Sequence, residues 1–123
     1  NDIVHNEMVD ILRIEFPSTK IFTIPTGWTS VNLDQMNINN ELLDDITRFG
    51  PQATSLFVDN KGHQGDIIRE AGSLLWLNNI YGVDLSTFSY DTGFNTNLQD
   101  VAKQIIDSHD PYTVIRLLIV YLS

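Results

Sequence analysis

Asp59 and His63 are the two side chains whose types and spacing could carry out proton-transfer chemistry. They lie in the segment DNKGHQG, which follows a short apolar run and contains Gly62 and Gly65. A carboxylate that orients an imidazole can make it a general base near neutral pH, and glycines let a substrate approach the backbone. The spacing alone leaves two interpretations open: a proton relay, or a polar connector whose histidine faces solvent.

The loop that holds this pair is flanked by a predicted strand and a predicted helix. The apolar run Ala53–Val58 predicts a buried strand. Asp66–Tyr81 predicts a helix with an inward apolar face, which Gly82 ends. In open α/β sheets, ligands collect outside the carboxyl ends of the strands. We therefore expect the loop at the edge of the sheet where α/β proteins place their sites.

The remaining segments complete an α/β pattern. They predict a helix before Pro17, a strand at Lys20–Ile24, a helix at Asn40–Phe49 and a helix that Asn97 caps. A strand–helix–strand unit with so long a crossover implies a parallel pair. Two short strands make a very narrow parallel sheet. We therefore expect either a partner that supplies further strands or a larger domain of which this chain is a part.

Composition bounds the class of protein. The chain has 123 residues, 42% of them apolar, which is too many for a disordered chain. Seven Lys and Arg against sixteen Asp and Glu give a net charge of −9. This balance argues against nucleic acid and anionic membranes as partners. Because there is no Cys, a disulfide framework, a thiolate nucleophile and a zinc–thiolate site are excluded.

The end of the chain is an almost wholly apolar tail. YTVIRLLIVYL has about eleven residues with Arg116 in the middle, which is too short to span a bilayer. We predict an α/β domain over residues 1–111 and an apolar tail over residues 112–123. The tail is expected to form a buried strand, a docking helix or a surface for a partner.

The segment LFVDNKGHQGDIIREAGSLLWL resembles the closing segment of the SGNH (GDSL-type) esterases and lipases. In that superfamily a strand ends in an Asp, a His follows shortly after, and a turn leads into a helix with an apolar face. Upstream, EFPSTKIFTIPTG and NNELLDDITRFG follow the superfamily's order, so the resemblance covers roughly residues 1–81. It implies a three-layer, flavodoxin-like parallel sheet with helices on both faces, represented here by its C-terminal part.

The resemblance assigns roles to individual residues. It makes Asp59 the orienting acid and His63 the base that serves a serine nucleophile acting on a small ester. Asn1, in the opening Asn-Asp, resembles the family's oxyanion residue. Trp28 follows a Pro-Thr-Gly turn and is a candidate wall of the substrate pocket. The resemblance implies no metal or organic cofactor, and by analogy it suggests a secreted or periplasmic location.

The sequence departs from the family pattern at three points. Three residues, rather than the usual two, separate Asp59 from His63, and Gln64 stands where Pro is frequent. In addition, no serine lies in a Gly-Asp-Ser or G-x-S-x-G context. A base without a nucleophile and an oxyanion hole does not make an esterase. We therefore expect the nucleophile outside this chain, and we expect the chain by itself to be inert.

Other function classes fit single features of the sequence. The main alternative is a non-catalytic, helix-rich interaction module, which associates with a second copy or a missing N-terminal half through the apolar tail and the open sheet edge. Asp59 to Glu70 has the length of a calcium loop, but Lys61 and His63 occupy ligand positions. The aspartic-protease triplet at residues 91–93 has no apolar strand before it, and we interpret it as a turn.

Overall fold

The structure, a computed structural model, describes residues 2–110 of the chain. Its elements are α1 (Asp2–Glu15), α2 (Gly27–Ile38), β1 (Thr47–Phe49), β2 (Ser55–Phe57), α3 (Asp66–Tyr81) and α4 (Leu98–Asp107). The two strands form a parallel sheet, in which Thr47 lies opposite Ser55 and Phe49 opposite Phe57. The α/β class predicted from the sequence is therefore confirmed.

The described residues fall into two compact units, residues 2–24 together with Asp110, and Pro25–His109. None of the helices in the described part of the chain is long and apolar enough to cross a membrane. The predicted domain boundary after residue 111 stays a prediction, and the apolar tail at 112–123 lies outside the described residues.

The first unit contains α1 and the segment after it. The helix ends before Pro17, as its sequence predicts. The predicted strand at Lys20–Ile24 is wrong, because these residues form no strand. Instead, the Nε of Arg13 donates a hydrogen bond to the carbonyl of Ile21 at 2.9 Å. A side chain therefore satisfies a backbone acceptor that the prediction assigned to a strand ladder.

In the second unit, α3 packs against α2, α4 and β2. The helix has the predicted bounds and buries its predicted face: Ile67, Ile68, Ala71, Leu74 and Leu75. Gly82 ends it in the left-handed region at φ 67°, where an L side chain is strained. Asn97 starts α4 by accepting a hydrogen bond from the N–H of Asp100 at 3.0 Å.

Helix α2 was not predicted from the sequence. It packs against α3 and α4, yet the fully buried residues on its inner face are Thr29 and Leu33. Thr29 is tolerated there because its hydroxyl donates to the carbonyl of Thr26 at 2.6 Å. By contrast, Val31 and Ile38 are exposed. Because a polar residue faces inward and apolar residues face outward, the apolar pattern does not reveal this helix.

The predicted helix at Asn40–Phe49 is also wrong. Asn40 has φ 58° and turns the chain away from α2, and the segment ends in β1. The parallel pair is therefore β1 with β2, and it is joined by a short connection at residues 50–54 that contains a 3₁₀ turn. The sequence had predicted a different pair, formed by Lys20–Ile24 and Ala53–Val58, with a long helical crossover between them.

Asp44 explains why residues 40–46 do not form a helix. Its carboxylate accepts hydrogen bonds from the N–H of Asn95 at 2.8 Å and from the N–H and hydroxyl of Thr96 at 2.8 and 2.7 Å. The Thr96 hydroxyl in turn accepts one from the N–H of Leu43 at 3.0 Å. This clasp ties the segment before β1 to the segment before α4. Partial burial raises the pKa of Asp44, but these hydrogen bonds outweigh burial and hold the pKa below its ordinary value of 3.8.

Asp44→Asn should destabilise the protein by about 1–3 kcal/mol at pH 7, because an amide cannot accept all three hydrogen bonds. Asp45→Asn is the matched control, since Asp45 is exposed. Because the folded pKa of Asp44 is lowered, its contribution is complete above the ordinary carboxyl pKa and is lost as pH falls through the folded value. Urea unfolding from pH 7 to pH 2 measures this, and an equal effect of both variants at pH 7 would contradict it.

Candidate functional site

The site is built where the chain leaves β2 and folds back along that strand. The N–H of Val58 donates to the carbonyl of His63 at 2.9 Å, and the N–H of Gly65 donates to the carbonyl of Leu56 at 2.6 Å. Gln64 thereby lies opposite Phe57 in an antiparallel bridge. These contacts place His63 beside the carboxyl end of β2, close to the acid that follows the strand.

Two glycines make this return possible. Gly62 has φ 89°, in the left-handed region that favours glycine. Gly65 comes so close to β2 that a Cβ added to it would lie 1.9 Å from the carbonyl oxygen of Ser55. The sharp turn at Gly62 accommodates the third residue between Asp59 and His63, so the longer spacing still returns the histidine to the aspartate.

Asp59 organises both the turn and the imidazole. Its Oδ1 accepts hydrogen bonds from the N–H of Lys61 at 2.9 Å and from the N–H of His63 at 3.3 Å. Its Oδ2 is hydrogen-bonded to the Nδ1 of His63. The hydrogen bond from the His63 ring lowers the pKa of Asp59 below its ordinary value. Desolvation raises this pKa and the two backbone N–H groups lower it, so the net shift is downward. The carboxylate is therefore ionised at neutral pH.

An ionised carboxylate can only accept, so the neutral imidazole carries its proton on Nδ1. Nε2 is then unprotonated and can act as a base. The side chain of His63 is 70% exposed, whereas that of Asp59 is 36% exposed. Among residues 2–110, no serine hydroxyl is hydrogen-bonded to the His63 ring. The arrangement is an oriented base that faces outward.

Gln64, which stands where the family frequently has Pro, uses its backbone N–H in no hydrogen bond of the bridge. The bridge uses the backbone groups of Val58, His63, Gly65 and Leu56, and within the described residues the N–H of Gln64 has no acceptor. A proline, which lacks this N–H, would therefore lose nothing from the bridge. The Gln64 side chain instead donates to the hydroxyl of Ser30 in α2 at 3.0 Å. This contact joins residues 34 positions apart, so no local pattern in the sequence indicates it.

The remaining candidate residues are Trp28, Asn1, Ser55 and Asp91 of the protease-like triplet. Trp28 lies in the first turn of α2 and is 43% exposed; its role as a pocket wall stays a prediction. Asn1 lies outside the described residues. Ser55 is buried, and its hydroxyl faces the carbonyl of Pro51 at 2.6 Å, which makes it a structural residue. Asp91 accepts from the N–H of Gly93 at 2.9 Å, which confirms the turn predicted for the protease-like triplet.

Cavities are found elsewhere in the second unit. One of about 400 Å³ is lined by residues between Leu85 and Asp100, and another of about 620 Å³ lies between α3 and the loop at Thr92–Phe94. Neither is lined by Asp59 or His63. Within the described part of the chain, no three His, Asp or Glu side chains cluster closely enough to hold a metal ion.

Comparisons of the chain with protein-family models, with curated proteins and with solved structures gave no match.

Gly65→Ala should destabilise the protein by about 1–3 kcal/mol or more, because the new methyl group overlaps the backbone of β2. Gly72→Ala is the control, for which the expected change in stability has the opposite sign. No atom lies within 4 Å of its added Cβ in α3, so it should stabilise the protein by about 0.5–1 kcal/mol. Urea unfolding of both variants measures the two effects. Equal stability of Gly65→Ala and the wild type would contradict the close approach of the loop to β2.

Proposed function

We propose that this chain is the C-terminal part of a serine ester hydrolase of the SGNH type, with a flavodoxin-like sheet that other strands complete. In this proposal the chain supplies the Asp–His pair to a nucleophile outside it. One observation carries the proposal: the hydrogen bond between the His63 ring and Asp59 at the carboxyl end of β2. A serine hydrolase needs an imidazole for proton transfer and a carboxylate that orients it, and here both follow the end of a strand.

The proposed mechanism gives each group a role. His63 Nε2 accepts the hydroxyl proton of the serine as its oxygen forms a bond to the ester carbonyl carbon. The imidazolium then donates this proton to the oxygen of the leaving alcohol as the bond between that oxygen and the acyl carbon breaks. Water repeats the sequence and releases the acid and the free serine. Asp59 stays ionised throughout, because its role is to hold the ring and to stabilise the imidazolium.

The exposure of His63 supports a nucleophile that comes from outside. Proton transfer by an oriented base is most effective in a site from which water is excluded. An imidazole that is 70% exposed has no such cover from the described residues. The proposal therefore requires another segment to cover the ring and to bring the hydroxyl against Nε2.

The two edges of the sheet indicate where the further strands of the proposed larger sheet would pair. The outer edge of β2 is occupied by the return of residues 63–65. β1 is exposed along all three residues, and in the two-stranded sheet of the described residues its outer edge has no strand partner. A sheet of two short strands is marginal by itself. Further strands can therefore extend this sheet at β1, on the side away from His63.

A hydrolysis assay tests the proposal. The 123-residue chain alone should release no p-nitrophenol from p-nitrophenyl acetate above the buffer rate. The chain extended with the residues encoded before Asn1 should hydrolyse the ester. In the extended protein, His63→Ala should lower kcat/KM by about 10²–10⁴-fold, because it removes the general base. His5→Ala, at an exposed position of α1, is the matched control and should leave the rate unchanged.

Two results would contradict this account. Hydrolysis by the 123-residue chain that requires both His63 and one of the chain's own serines would place the nucleophile inside it. An extended protein with no activity on short esters would leave the alternative, a non-catalytic, helix-rich interaction module that associates through its apolar tail and open sheet edge.

A further inference from the structure

Packing alone does not fix the ring of His63, because most of it lies in solvent. With 70% of its side chain exposed, its orientation depends on its hydrogen bond to Asp59 and on the backbone that carries it. A hydrogen bond at a solvent-exposed site is weak unless its groups are already held in place. The position of the ring therefore depends on the contacts that hold the backbone of residue 63.

The backbone after His63 is fixed at two points. On one side, the bridge to β2 holds the carbonyl of His63 and the N–H of Gly65. On the other, Gln64 Nε2 donates to Ser30 Oγ at 3.0 Å, in a contact that is partly buried. Neighbouring residues of an extended segment point to opposite faces, so Gln64 reaches α2 while His63 faces outward. We call the Gln64–Ser30 contact the tether.

We propose that Gln64 is a positioning residue for His63, and that the tether to Ser30 keeps the imidazole over the Asp59 carboxylate. This inference rests on the proposed function, in which His63 is the base. The N–H of His63 bonds to Asp59 in its own turn, and its carbonyl bonds to β2. The anchor of Gln64 on α2 adds a contact with a separate element next to the imidazole. Without the tether, the His63 ring leaves Asp59 more often. The fraction of molecules with Nε2 unprotonated and available as a base then falls.

The ratio of the two neutral tautomers of His63 reports this directly. Long-range ¹H–¹⁵N NMR spectra of the 123-residue chain at about pH 8.5, well above the ordinary imidazole titration range, give the Nδ1–H to Nε2–H ratio. In the wild type Nδ1–H should dominate, because Asp59 accepts from it. Asp59→Ala gives the reference for a ring without this acceptor.

Gln64→Met keeps the length of the side chain and removes the amide. It should lower the tautomer ratio by about 2–10-fold, which is the range expected for the loss of one hydrogen bond. Ser30→Val should give the same decrease. Ser30→Thr, in which the new side chain has the shape of Val but keeps the hydroxyl, should retain the wild-type ratio. Gln35→Met is the control for loss of an amide from α2, since Gln35 bonds to Asn39 at the surface, and it should change nothing.

Melting temperatures of the same variants separate positioning from stability. A purely structural role predicts that Gln64→Met lowers the melting temperature and leaves the His63 tautomer ratio of the folded protein unchanged. That result, or a Ser30→Val ratio equal to that of Ser30→Thr, would overturn the tether and leave the Asp–His pair intact. A wild-type ratio equal to that of Asp59→Ala would instead overturn the pair and with it the proposed function.

Discussion

The close approach of Gly65 to the backbone of β2 is the constraint on which the site depends. Because Gly65 has no side chain, the chain can fold back directly against the strand it has just left. A Cβ at this position would overlap the carbonyl of Ser55. Two hydrogen bonds then fix residues 63 and 65 along the outer edge of β2. Gly65 is also the residue before α3, so the same contact brings the start of that helix against β2.

This return also determines which edge of the sheet stays open. It occupies β2, and it leaves β1 as the edge where further strands can pair. The site is oriented but uncovered: Asp59 accepts three N–H groups and holds the ring, while Nε2 faces solvent. The pair therefore has the arrangement of an oriented base, and under the proposed function the nucleophile and the exclusion of water come from another segment.

Local patterns predicted the parts of the fold that local interactions determine. The bounds of α3 and the cap of α4 follow from apolar spacing, Gly82 and Asn97, all of which act within a few residues. The pairing of Asp59 with His63 was predictable for the same reason, since only three residues separate them and one turn brings them together. The resemblance to SGNH hydrolases rests on these local residues and stays a proposal.

Contacts between distant segments determine the parts that the sequence did not predict. The helix expected before Phe49 is replaced by the clasp of Asp44 with Thr96, more than fifty positions away, and by the pairing of β1 with β2. Helix α2 is hidden because its inner face carries Thr29, whose hydroxyl is satisfied within the helix turn. The tether from Gln64 to Ser30 is equally non-local. Apolar periodicity carries no information about hydrogen bonds of this kind.

The most direct test of the account is the position at which a serine-directed fluorophosphonate reacts. The probe is applied to the chain extended with the residues encoded before Asn1, and the modified peptide is identified by mass spectrometry. The account predicts an adduct on a serine before Asn1, and it predicts that His63→Ala abolishes the labelling. An adduct on a serine within residues 1–123, or labelling that persists without His63, would contradict it.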